Sequence, residues 1–171
     1  MGSPLPATSV FCMGPIHIQR IDDTLRAGKG YGKKATANDT PATPRYSEPR
    51  DLARQLIHTP YLWGGKSCMG IDCSGLTQVT FSVCGMQLPR DASQQARVGA
   101  PVPSTDALCP NDLCFFHNDE GRVVHVGIYI GFGQIIHASG SVRIDKLDAT
   151  GIFNADENRY THRLHSIRRV F

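Results

Sequence analysis

At 171 residues, 40% of them hydrophobic and 19% charged, the chain is long enough for one core that buries roughly 70% of the surface its unfolded form exposes. A net charge of +3 is too dilute for a nucleic-acid or membrane-surface footprint, and no apolar run approaches the roughly 18 residues of a membrane span. The start, MGSPLPATSVFCMGPIH, lacks a basic stretch followed by an apolar one. No leader is read there, and the compartment (periplasmic, secreted or cytoplasmic) stays open.

In chain order, GPIHIQRID holds one short alternating run (Ile16, Ile18), and RAGKGYGKKATANDTPATPRY offers almost nothing to bury. Residues 1–47 read as an N-terminal extension and linker, and the packed domain is expected over 48–171. In SEPRDLARQLIHT, Ser47 suits an N-cap, Pro49 a first turn, and Leu52, Leu56 and Ile57 one helical stripe. After the glycine-rich YLWGGKSCMGIDCS, a second helix starts at Asp72 or Cys73. Its expected stripe is Leu76, Val79 and Val83, with Gly85 as its C′ residue. PRDASQQARVG predicts a short polar helix or turn.

The period then changes. DLCFFH and VVHVGIYI flank the turn NDEG, and GFG leads into QIIHAS, which predicts three antiparallel strands; SVRID and RLHSIRRVF predict two more. Helices first and strands afterwards give an α+β architecture, with N-terminal helices packed on an antiparallel sheet.

The six cysteines are Cys12, Cys68, Cys73, Cys84, Cys109 and Cys114. Both Cys68/Cys73 and Cys109/Cys114 have spacings at the edge of the range for a zinc pair, and a chain of this size needs no disulfide scaffold. Most of the six therefore read as small buried hydrophobes.

Cys73 differs, because the orphan N–H groups and positive dipole of a helix start favour a thiolate. Alternation along VVHVGIYIG puts His125, Gly127 and Tyr129 on one face. With a three-residue loop Gly131-Phe132-Gly133, residue 125 faces 139, and His137 is the same-face diagonal neighbour of His125 at roughly 7 Å. A two-residue loop would turn His137 to the opposite face. A helix-start Cys, a strand His and a polar group behind it form a nucleophile, base and orienter, with the Cys73 N–H aimed where an oxyanion would form. His17, His58, His117, His162 and His165 are read as structural.

YLWGGKSCMGIDCSGL, LPRDASQQ, NDLCFF, HVGIYIG and IIHASG, in that order from about residue 48 to the end, resemble the NlpC/P60 cysteine peptidases of papain-like fold, which cleave bacterial cell-wall peptides. The resemblance implies Cys73 as nucleophile, His125 as general base and acid, and His137 as orienter, with no metal and no cofactor. It implies that Tyr61 helps polarise the scissile carbonyl and that Trp63 lines the cleft; packing of the Gly64-Gly65 loop is a second reading of both aromatics.

The chain is most similar to the γ-D-glutamyl-L-diamino acid endopeptidases, which act on peptidoglycan stem peptides or muropeptides. In that branch the residues at Asp72 and Ser74 hold the free amine of an N-terminal L-Ala. An N-cap role for Asp72 and a structural role for Ser74 stand beside this. Arg90 and Asp91 either reach the D-Glu side of the substrate or, the favoured reading, order their loop. Relatives in the branch carry SH3-like domains ahead of the catalytic one, whereas 47 residues precede it here, with GPIHIQRID as a remnant strand. The rivals are a related-fold amidase, acyltransferase or secreted cell-wall toxin, and a catalytically dead wall-binding module.

Overall fold

A computed structural model describes residues 48–170. The expected extension and linker over 1–47, the remnant strand, Ser47, Cys12 and His17 lie outside the described residues.

Helix α1 runs Pro49–Gln55, with extended Glu48 at its N-cap. Proline suits the first turn because its missing N–H would have no helical partner there. No side chain caps α1; Glu48 instead accepts from Asn111 Nδ2 at 3.0 Å. The helix buries Pro49 and Ala53. The expected stripe of Leu52, Leu56 and Ile57 is only partly buried, because α1 ends before Leu56.

The glycine-rich stretch folds as a small hairpin, β1 Lys66–Ser67 and β2 Gly70–Ile71, with Cys68 exposed at its tip. Helix α2 follows at Cys73–Val83. Asp72 is its extended N-cap, and Asp72 Oδ1 accepts the Gly75 N–H at 2.6 Å. Gly85, at φ 87°, takes the left-handed conformation that ends the helix. Its buried face is not Leu76, Val79 and Val83. It is Leu76, Thr77, Thr80 and Phe81, and Val83 is exposed. Thr77 and Thr80 can lie on that face because their hydroxyls donate to Ser74 O and Leu76 O. The polar helix α3 is Ala92–Gln95.

The remaining strands are β3 Ala100–Pro101, β4 Leu113–His117, β5 Val123–Gly131, β6 Gln134–Ser139, β7 Ser141–Leu147, β8 Gly151–Asn154 and β9 Arg159–Arg169. They form a seven-stranded sheet in the order β3-β9-β4-β5-β6-β7-β8, with β8 also pairing β9. The pairing therefore runs back on itself, from β9 through β4 to β8 and home. All these pairs are antiparallel. The sequence reading missed β3, β8 and the return of β9.

One core cluster combines Ala53, Leu76, Phe81 and Ala92 from the helices with Val126, Ile128 and Ile136 from the strands. A second lies among the strands, around Cys114, Phe116, Ile135 and Ile152. At about 25 cal/mol per Å² of apolar surface, each of the fully buried Leu, Ile, Val and Phe side chains contributes on the order of 2 kcal/mol before chain entropy is charged against it.

The β5–β6 hairpin departs from expectation in an instructive way. Gly131 pairs with Gln134, so the turn holds two residues, Phe132 and Gly133, at φ 55° and 66°. Two positive φ values are what a type I′ turn requires. The register shifts between Tyr129 and Gly131, so Ile130 is the extra residue of a bulge. That restores the expected register, with Gly127 opposite His137.

Candidate active site

Cys73 opens α2 with its side chain inside the helix and strand core, 6% exposed. The backbone N–H groups of Val126, the residue after His125 on β5, and of Ser74 act on its sulfur in the direction that favours the thiolate. Gly75 lets the Gly65 loop close on the start of α2, since a Cβ there would lie 2.3 Å from Gly65 O. The expectation of a resting thiolate is corrected. Burial pushes the Cys73 thiol up, the Asp72 charge adds to this, and the backbone N–H groups offset only part of it. Burial likewise holds His125 well below its ordinary value, with His137 and His162 acting the same way. Both shifts favour the neutral form, thiol at Cys73 and imidazole at His125.

His125 Nε2 lies 2.9 Å from His137 Nδ1, with the rings edge-on at 89°. Both residues are buried, at 6% and 1% exposure. Gly127 leaves room for this, because a Cβ there would meet Ile135 at 2.7 Å and the His137 Cβ at 3.0 Å. The diagonal step continues to β7. His137 pairs with Arg143 and Ile135 with Asp145, so Asp145 shares the His137 face, and its Oδ2 lies 3.0 Å from His137 Nε2. Burial raises the Asp145 carboxyl, but His137 and Arg143 outweigh it and hold the group below the usual range.

His162 of β9, read from sequence as structural, stacks on His125 at 4.1 Å between ring centroids and 27°. Burial and the neighbouring His137 bring it down to about 4. Asp145 and His162 were both missed. Asp145 was within reach had the β5–β6 register been carried one hairpin further, through Ser139 opposite Ser141. His162 depends on the return of β9, which no local pattern signals.

A cleft of about 680 Å³ opens beside Cys73, lined by Tyr61, Trp63, Asp72, Ser74, Arg90, Asp91 and Val124. Every residue expected to touch substrate is there. Trp63 is 85% exposed and so does not pack the glycine loop, whereas Tyr61 packs on the core. Burial, then the neighbouring Cys73 and Asp72, raises the Tyr61 hydroxyl.

Asp72 is heavily engaged. Its Oδ1 accepts from Gly75 N and from Arg90 Nη1 at 3.0 Å; its Oδ2 accepts from Gly64 N at 2.7 Å and from Arg90 Nη2. Burial raises this carboxyl, and Arg90 with the two N–H groups overcomes that and lowers it. Arg90 Nη1 also donates to Ser74 Oγ at 2.8 Å. Buried Gln95 fixes the Arg90 loop, donating from Nε2 to Ser74 O and Pro89 O. Asp91 is an exposed backbone N-cap of α3 and makes no side-chain cap.

Among the described residues, the cysteines sort as follows. Cys114 is buried, Cys84 half-buried, Cys68 exposed, and Cys109 disulfide-bonded. Also among the described residues, no group of His, Cys, Asp and Glu is arranged to hold a metal ion, and no helix is long and apolar enough to cross a membrane.

Residues 58–169 match the NlpC/P60 family, and the chain belongs to it. It is 36% identical over 134 residues to the gamma-D-glutamyl-L-lysine dipeptidyl-peptidase of Bacillus subtilis (strain 168), covering 73% of this chain and 43% of that protein. The crystal structure of an NlpC/P60 family protein from Bacillus cereus ATCC 10987 superposes with a TM-score of 0.62 at 34% identity, over 71% of this chain and 39% of that one. The NlpC/p60 domain of the peptidoglycan hydrolase SagA does so with a TM-score of 0.52 at 34% identity, over 57% of this chain and 86% of that one. The fold is therefore that of NlpC/P60 domains, and the relatives include peptidases and peptidoglycan hydrolases. The chain spans less than half the length of the curated relatives it matches first.

Proposed function

We propose that this chain is a cysteine peptidase that hydrolyses the γ-D-glutamyl to diamino acid amide of peptidoglycan stem peptides or muropeptides. The observation that carries the reading is a helix-start thiol that opens on a cleft and feels the backbone N–H of Val126, next in chain to His125, together with the buried His125–His137 contact of 2.9 Å. The named activity of the Bacillus subtilis relative supports the substrate class. The presentation of Cys73 by α2 to the β5 strand fits a papain-like arrangement.

His125 takes the Cys73 proton as the sulfur attacks the scissile carbonyl. The proton moves in step with attack because the neutral pair is favoured at rest. The Cys73 N–H, one of the orphan donors of the first helical turn, and the Tyr61 hydroxyl stabilise the oxyanion. His125 then protonates the leaving amine, the acyl group stays on Cys73 as a thioester, and water attacks it with His125 again as base. His137 orients His125 throughout.

Asp72 and Ser74 read the N-terminal amine. Because Arg90 already occupies both oxygens of Asp72, an incoming ammonium shares that carboxylate with Arg90, whose charge faces the acidic D-Glu side. Asp91, on the same rim, helps set the loop geometry. Cys73→Ala is expected to abolish turnover of L-Ala-γ-D-Glu-diamino acid, measured by mass spectrometry, with an unchanged thermal midpoint. Retained turnover would sink the mechanism.

A further inference from the structure

The line of hydrogen-bonding side chains does not stop at the two imidazoles. It crosses β5, β6 and β7 one diagonal step at a time, ending on a carboxylate that is 5% exposed. A neutral imidazole carries one N–H, and an ionised carboxylate only accepts. We propose that Asp145 is a positioning residue that sets the proton on both histidines. Its carboxylate fixes the N–H of His137 on Nε2, 3.0 Å away, and so makes His137 Nδ1 an acceptor. That nitrogen, 2.9 Å from His125 Nε2, holds the N–H of His125 there and leaves His125 Nδ1 bare to take a proton. The use made of Nδ1 rests on the thiol chemistry proposed above; the proton assignment does not.

Arg143 completes the device. Its Nε lies 2.8 Å from Asp145 Oδ2, and its Nη2 donates to Oδ1 at 2.9 Å. By gripping both carboxylate oxygens, Arg143 holds Asp145 Oδ2 against His137 Nε2, so the N–H of His137 stays on that nitrogen and Nδ1 is left to accept. The other titratable groups packed around the line are His162, stacked on His125 and edge-on to His137 at 5.7 Å, and Asp156, paired with Arg143 on the solvent side. Neither offers His137 a competing acceptor among its recorded hydrogen bonds. Asp145 thus takes the part of the orienting carboxylate in a catalytic triad, moved back by one imidazole.

The test uses the full chain labelled with 15N-histidine, whose ring nitrogens are read by long-range 1H–15N correlation at neutral pH. Wild type is expected to show both His125 and His137 with the proton on Nε2. In Asp145→Asn the Nδ1–H form of His125 appears, and kcat on the stem tripeptide falls roughly 100-fold or more with KM little changed. A wild-type His125 protonated on Nδ1 overturns the inference without any variant, and so does an Asp145→Asn chain that keeps both wild-type tautomers. If wild type shows the expected tautomers yet cleaves no stem peptide, the peptidase reading falls and the assignment stands.

Discussion

Each oxygen of Asp72 serves more than one donor, so its substitutions separate architecture from recognition. Asp72→Ala strands the N–H groups of Gly64 and Gly75 and the Arg90 guanidinium, and is expected to cost about 1–3 kcal/mol in urea unfolding. Asp72→Asn keeps an N-cap and removes only the charge. It is expected to raise KM for substrates with a free N-terminal amine more than for N-blocked ones; equal losses would leave Asp72 a cap and nothing more. At this scale the sequence was informative. Cys73, His125, His137 and the cleft residues were each legible from local pattern or resemblance; the cleft gathers Cys73 with the expected substrate residues, and the two histidines meet in the buried sheet. The protonation state was not legible, because burial is a property of the packed molecule, and it reversed the expected direction at Cys73.

At the level of elements, the site depends on a strand pair that sequence reasoning did not find. Gly151 on β8 has φ 147°, and a Cβ there would sit 1.9 Å from His162 O on β9. Gly151→Ala is therefore expected to destabilise by about 2–3 kcal/mol, read as a lowered urea midpoint. It should also shift the His125 ring resonances, because His162 stacks on that ring. An unchanged midpoint would mean that the β8–β9 contact yields at no cost. The four-residue β8 was illegible because so short a segment has no period to show. The strands that carry the histidine pair were long and alternating, and their expected bounds held closely.

For the molecule as a whole, buried His125 and half-buried His162 make folding sensitive to acid. His125 is held well below the ordinary 6.5 and His162 at about 4, both first by burial. With native pKa values depressed, the unfolded chain binds more protons once the pH drops below about 6.5. Their contribution is full above that pH and is lost as the pH falls through the native values, for His162 between about 6.5 and about 4. The thermal midpoint is expected to fall by several degrees between pH 7 and pH 4.5. His162→Phe keeps a ring against His125, removes one titrating group and should flatten that decline; an undiminished decline would assign the acid sensitivity elsewhere. Closure of the strands onto β9 brings His162 to this position from 37 residues beyond His125 along the chain, which is why composition and local motifs said nothing of it.

The β5–β6 hairpin has a consequence for how this chain can change length. Ile130 and the two-residue turn together fix on which side of the sheet His137 emerges. Losing or gaining one residue there inverts the whole of β6, moving His137 into the helix-side core that Ile136 fills and Ile136 onto the face of His125, whereas a substitution at the same place disturbs only local packing. The hairpin thus keeps a parity: viable indels come in twos, or in one paired with a compensating loss of the bulge. The tolerance of the site to insertion is set by arithmetic in a turn that touches no substrate.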